Sequence, residues 1–210
     1  MTGYFVTGTD TNVGKTVLSA LLVAALDGFY WKPIQTGAVE GTDRKSVGAW
    51  SGVLAEQILP ESYCFDPPVS PHLAARQAGM SIALDSLDLP SVPAGRPLIV
   101  EGAGGAMAPI NDRDLMRDLM RRLGLPGLIA ARTALGTINH TLLTIAALRD
   151  AHVSIGGVVM IGEEHAENRR AIEHYSEVRV IGHIPHLQQI HRAALLEVFH
   201  KHFDRQVFLP

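Results

Sequence analysis

Short apolar runs recur along the chain at Tyr4–Val6, Phe29–Trp31, Pro97–Val100, Gly127–Ala131, Ile155–Ile161 and Val178–Ile181. Most are apolar throughout rather than alternating, the pattern of strands buried on both faces of a parallel sheet. Between them lie segments whose apolar residues return every three or four positions, which predicts helices. Val17–Leu26 is one. Asp114–Leu123 places Leu115, Leu119 and Leu123 at steps of four, and Ile138–Leu148 repeats Ile138, Leu142, Ile145 and Leu148. Glu167–Tyr175 is more polar, with one face exposed, and Gln188–His200 gathers Leu195, Leu196 and Phe199 on one side. Alternation of this kind predicts an α/β fold with a doubly wound, mostly parallel sheet.

The interval 37–96 breaks the pattern. It holds Pro60, Pro67, Pro68, Pro71, Pro90 and Pro93, which predict turns and short helices. We read it as an excursion from the sheet, so that 1–210 forms a single domain. A length of 210 residues fits one domain.

Composition narrows the function classes. With 47% hydrophobic and 19% charged residues the chain can bury a core, which excludes a disordered protein. A net charge of −3 gives no basic footprint for nucleic acid. The longest apolar stretch, Val17–Leu26, falls well short of the ~20 residues of a membrane span, and Met1–Tyr4 lacks the basic start of a secretory signal. Cys64 is the single cysteine, so no intramolecular disulfide and no multi-cysteine metal site can form. A reducing cytoplasm suits that usage.

Chemistry concentrates in Gly8-Thr9-Asp10-Thr11-Asn12-Val13-Gly14-Lys15-Thr16. It follows a predicted strand and opens a predicted helix, the context of a phosphate-binding P-loop. Backbone N–H groups from Asn12 to Val17 would face an anion at the positive end of the helix dipole. Lys15 supplies a mobile charge and Thr16 a hydroxyl where Mg²⁺ would sit. Five residues separate Gly8 from Gly14 where the common spacing is four, so either Thr9 takes the first position or the loop is one residue longer. Glu101 closes the third run and precedes Gly102-Ala103-Gly104-Gly105. A carboxylate there faces the crevice in which α/β sheets bind ligands, and the residues behind it admit a second anion.

Other positions are ambiguous from spacing. Lys32 follows the second run and could meet Lys15 at the same sheet edge, but spacing alone favours a surface lysine. Asp43 could be a second carboxylate for Mg²⁺; read alone it is a helix N-cap. Ser70-Pro71-His72 reads as a helix start with Ser70 as the cap. Gly136-Thr137-Ile138-Asn139-His140 lies between a strand and a helix, and its polar residues could cap that helix or touch a ligand. The ten histidines form no His-Glu-x-x-His pair and read mostly as surface residues.

Taken in order, the segments Tyr4–Thr16, Lys32-Pro33-Ile34-Gln35-Thr36-Gly37, Gly41-Thr42-Asp43, Ser70-Pro71-His72, Val100–Gly105, Leu135–Thr144 and Ile181-Gly182-His183-Ile184-Pro185 resemble the dethiobiotin synthetases. The long P-loop is also that family's version. The resemblance implies a P-loop NTPase-type fold and an ATP-dependent ligase of biotin synthesis acting on 7,8-diaminononanoate and CO₂. It implies that Lys15 and Lys32 stabilise the carbamate and the transferring phosphoryl group. Thr16, Asp43 and Glu101 would hold Mg²⁺, and Thr11, Thr36 and Gly102–Gly104 would contact the carbamate and phosphate region. A homodimer is implied, with the diamine near the subunit boundary and Asn139 reaching the partner's substrate. Many relatives carry an adenine-reading asparagine after the fifth strand. Here Val158–Glu164 has none, which leaves base recognition either looser or to the backbone near Pro185. A partitioning-type ATPase switch is the competing reading. Such proteins often carry a second lysine early in the loop, where this chain has Thr7-Gly8-Thr9-Asp10. An amidoligase using glutamine would need a nucleophilic cysteine, and Cys64 lacks that setting.

Overall fold

The protein's structure, a computed structural model, describes residues 3–208. Strand β1 (Gly3–Gly8) passes through a loop into α1 (Lys15–Leu26), and β2 (Phe29–Trp31) follows. Then come β3 (Ile34–Gln35), α2 (Asp43–Ser51), β4 (Tyr63–Cys64) and α3 (Pro71–Gln77). The remainder alternates: β5 (Leu98–Glu101), α4 (Met116–Leu123), β6 (Gly127–Arg132), α5 (Thr137–Asp150), β7 (Ile155–Ile161), α6 (Ala166–Ser176), β8 (Val180–Ile184) and α7 (Arg192–His202).

Six strands form one parallel sheet in the order β2-β5-β1-β6-β7-β8. Successive side chains point to opposite faces, and here both faces are apolar. Phe5, Val100, Ile129 and Val158 pack under Leu119 and Leu123 of α4, Leu148 of α5 and Ile172 of α6. Val6, Ile99, Leu128 and Val159 pack under Leu18 and Leu22 of α1 and Leu195 and Phe199 of α7. Each such fully buried side chain contributes about 1.5–3 kcal/mol over exposure. Two covered faces are why the strands read as continuous apolar runs.

The interval 37–96 holds more order than its prolines predict. The helix start that Asp43 suggests is α2, whose extent leaves no apolar period to read because, of its residues, Val47 and Ser51 alone are buried. The β3–β4 pair is two residues long on each strand and leaves no periodicity to read. The interval sends Phe65, Ala74, Ile82 and Leu87 into the same apolar cluster as Leu98. Several boundaries differ from the pattern by a few residues, and three have a visible cause. Helix α4 starts at Met116, because Asn111 and Asp118 engage the backbone N–H groups of Asp114 and Leu115 in a turn. Helix α7 starts at Arg192, with the His191 ring accepting from the Ala194 N–H. Strand β8 lies later than Val178–Ile181, because Glu177 ends α6 in the left-handed conformation. Among the described residues no helix is long and apolar enough to cross a membrane.

Candidate active site

Parallel strands place their carboxyl ends along one edge of the sheet. The β1–α1 loop, Lys32 after β2 and Glu101 at the end of β5 therefore meet, since β2, β5 and β1 are neighbours. Strand β1 continues into α1 on one face, and β6 into α5 on the other. Connections that part in this way open a crevice beyond the strand ends. A cleft of about 1160 Å³ occupies it.

The loop runs from Thr9 to Gly14, between Gly8 of β1 and Lys15 of α1. A Cβ on Gly8 would lie 2.7 Å from Val13 Cγ2, so the loop folds back on a position that must lack a side chain. Gly14 has φ 99°, where side chains are strained. Lys15 is buried and its Nζ donates to the Asp10 carbonyl at 3.0 Å. Burial lowers its pKa below the ordinary lysine value. Glu101 opposes that shift and the neighbouring Lys32 ammonium adds to it.

Beside the loop lies a dense polar cluster. The Thr16 hydroxyl stands 2.8 Å from Asp43 Oδ1 and 3.1 Å from Glu101 Oε1. Lys32 Nζ pairs with Asp43 Oδ2, and with Glu101 Oε1 at 3.3 Å. Tyr30 donates its phenol to the other Glu101 oxygen, Oε2, at 3.1 Å. The Asp43 N–H donates to Gln35 Oε1 at 3.1 Å, which fixes the start of α2. Lys32 and Glu101 are only 5% and 1% exposed. Burial works against the Lys32 charge, but Glu101 and Asp43 outweigh it and raise the pKa above the ordinary value. For Asp43, burial is likewise outweighed by Lys32, which holds the carboxyl below the usual range.

Two expectations from spacing are corrected by the structure. Lys32 is not a surface lysine, because two carboxylates hold it in the interior. Asp43 is not the N-cap of α2. Thr42 is, and Asp43 one residue later turns its side chain to the cluster. Ser70 is the N-cap residue of α3 with Pro71 at the first helical position, as the sequence predicts, and its hydroxyl meets His72 Nδ1 at 3.0 Å instead of a backbone N–H. Tyr30 and Gln35 went unnoticed by sequence reasoning. The available signal for Tyr30 was its place two residues before Lys32, on the same side of the strand.

Of the other sequence candidates, Thr11, Asn12, Val17, Thr36, Ala103 and Gly104 line the cleft, as do His140, Leu143 and Thr144 of α5. Val13 is buried within the loop, and the Gly102 N–H donates to the Val6 carbonyl. Asn139 is exposed and borders a separate hollow of about 480 Å³ with Leu135, Ile138 and His165. Pro185, just after β8, is half-buried and does not line the cleft.

A family model described as an AAA domain matches residues 2–194. The ATP-dependent dethiobiotin synthetase of Nitrobacter hamburgensis is 48% identical over 204 residues, 97% of this chain and 95% of that protein. That of Paramagnetospirillum magneticum is 51% identical over 195 residues, 93% of each chain. That of Novosphingobium aromaticivorans is 47% identical over 99% of this chain and its own full length. The chain belongs to the ATP-dependent dethiobiotin synthetase family. It is therefore an enzyme, with the P-loop fold that the sequence predicts. A ParA family ATPase from Chlorobium tepidum superposes with a TM-score of 0.50 at 12% identity, covering 95% of this chain and 93% of that one. At that identity the likeness shows the fold alone.

Within this family member, strand β7 runs into Gly162-Glu163-Glu164 with no asparagine. The Gly162 carbonyl is taken by His183 Nε2 at 2.7 Å. The Asn168 amide on α6 donates to the Thr133 carbonyl at 2.9 Å.

Proposed function

We propose that this chain closes the ureido ring of dethiobiotin from 7,8-diaminononanoate, CO₂ and ATP, releasing ADP and phosphate. One substrate amine adds to CO₂ and loses a proton, giving a carbamate. A carbamate oxygen attacks the γ-phosphorus as the bond to ADP breaks. The second amine then attacks the carbamate carbon, phosphate leaves and a proton is lost.

The observation that carries this reading is a second buried ammonium, Lys32, beside the loop that holds Lys15. Phosphoryl transfer needs positioning and charge more than covalent chemistry. Lys15 neutralises phosphate oxygens from within the loop, and Lys32 faces an acceptor anion entering from the β2 side. Preorganised donors of this kind stabilise charge where it develops. Lys32 stays charged because Asp43 and Glu101 hold it, so it meets a carbamate as a full cation.

Thr16, Asp43 and Glu101 are hard oxygen donors converging on one point, which suits Mg²⁺. Two carboxylates and a hydroxyl are too few for a closed cage, and Mg²⁺ ordinarily completes its shell with water and substrate phosphates. When bound, the ion supplies charge neutralisation on the phosphate oxygens. We extend the proposal to a homodimer in which the α5 start of one protomer meets the partner's diamine.

Phosphate release from ATP, measured with and without the diamine and bicarbonate, tests the reaction. Release that requires both is expected. Release indifferent to the diamine would overturn the ligase reading in favour of a nucleotide switch.

A further inference from the structure

Arg132, the last residue of β6, reaches from a neighbouring strand to the phosphate loop. Its Nη2 donates to the Thr11 carbonyl at 3.1 Å and lies 3.5 Å from the Asn12 carbonyl. These two carbonyls border the most exposed part of the loop. Asn12 there has φ 56°, a left-handed conformation that side chains disfavour, although asparagine tolerates it better than most. Such a conformation persists where the surroundings over-determine it. The Asp10 carboxylate accepts from the Thr11 N–H at 2.7 Å on one side, and the guanidinium takes the carbonyls on the other.

The consequence follows from the peptide plane. The Thr11 carbonyl shares a planar trans unit with the Asn12 N–H, and the Asn12 carbonyl shares one with the Val13 N–H, so each pair points in opposite directions. A cation that holds the carbonyls outward turns the two N–H groups inward, where a phosphate is met. Hydrogen bonds from a charged donor are stronger than neutral ones and suit this bracing. The brace is itself anchored. Arg132 pairs with Ile161 of β7 in the sheet, and its own carbonyl accepts from the hydroxyl of Thr137 at the start of α5.

We propose that Arg132 is a positioning residue for nucleotide binding, which it promotes by bracing Thr11 and Asn12 rather than by touching the phosphates. The proposal rests on the reading of residues 8–16 as the ATP phosphate loop. The test titrates ADP and a non-hydrolysable ATP analogue into the full-length wild type, Arg132→Ala and Arg132→Lys by calorimetry, with thermal unfolding of each protein free of nucleotide. Arg132→Ala should weaken ADP and the triphosphate alike by about tenfold, the scale of one or two modest hydrogen bonds. Arg132→Lys should recover part of that loss, and the nucleotide-free unfolding midpoints should match. Unchanged ADP affinity in Arg132→Ala would overturn the proposal. So would a loss confined to the triphosphate, which would mean direct contact with the terminal phosphate, or a loss accompanied by a lowered nucleotide-free midpoint. A wild type that fails to bind ADP would remove the P-loop reading itself, and this inference with it.

Discussion

Tyr30 holds Glu101 by one oxygen, phenol to Oε2 at 3.1 Å, and thereby leaves Oε1 to Thr16 and Lys32. The pair spans adjacent strands. Tyr30 lies in register with Ile99, two residues before Glu101 on the same face. Burial, and secondarily the Glu101 charge, push the phenol well above its ordinary pKa, so it remains a donor throughout the physiological range. Tyr30→Phe preserves the ring and strands one buried carboxylate oxygen. The expected cost is about 1–3 kcal/mol of stability, read by urea denaturation, with a raised Mg²⁺ requirement because Glu101 is then held through Oε1 alone. A variant as stable as wild type would show that water replaces the phenol.

The two lysines should separate in kinetics. Lys15→Ala removes the loop's own cation and should abolish turnover while weakening ATP binding. Lys32→Ala should leave ATP binding largely intact and lower kcat by at least a hundredfold, as expected for an interaction made mainly in the transition state. Equal losses of ATP affinity in both variants would argue against Lys32 at the acceptor anion.

Which parts of this were legible in the sequence depends on what each signal measures. The six sheet strands and their helices were readable because burial on two faces demands continuous apolar runs, as in Leu98-Ile99-Val100. The P-loop was readable because strand, loop and helix are contiguous. Lys32 was misread because its burial is created by Asp43 and Glu101, which lie 11 and 69 residues further along the chain. Local spacing carries no trace of such partners. Asp43 was ambiguous for a related reason: Thr42 and Asp43 are both good caps, and only the fold shows that Thr42 accepts from the Lys45 N–H.

The Lys32 cluster also sets a pH signature. Asp43 has a depressed pKa in the folded state, so its contribution is present above the ordinary carboxylate range and is lost as pH falls through the depressed value. Lys32 has a raised pKa, so its contribution is complete below the ordinary lysine value and is lost as pH rises through the raised one. Lys32→Met leaves two carboxylates facing each other. It should cost about 3–5 kcal/mol on the neutral plateau, and less toward either limit, beyond ~4 and ~10.4. A stability difference that stays constant across the whole range would refute the electrostatic account.

Metal dependence distinguishes the two carboxylates. Glu101→Gln and Asp43→Asn keep shape and remove charge, and each should raise the Mg²⁺ concentration for half-maximal activity. Asp43→Asn is the more informative variant, because its carboxylate lies on α2, beyond the sheet. Unchanged Mg²⁺ dependence there would leave Asp43 as a partner of Lys32 and Thr16 alone.

Asn139 tests the proposed assembly. It is exposed on the first turn of α5 and outside the cleft, while Leu143, one turn later, lines it. That placement suits a side chain that serves another protomer's substrate. Asn139→Asp would put a like charge beside the substrate carboxylate and should raise the Michaelis constant for the diamine, with ATP binding spared. Mixing Lys15→Ala with Asn139→Asp under conditions of subunit exchange is decisive. In a shared-site dimer, the mixed species contains one site that combines an intact Lys15 with an intact Asn139, so at a diamine concentration too low for Asn139→Asp alone to turn over, activity returns to up to about a quarter of wild type when half of the dimers are mixed and each has one working site. If exchange is demonstrated by mass-tagged subunits and activity does not return, Asn139 acts within its own chain, and the α5 start has no part in the partner's site.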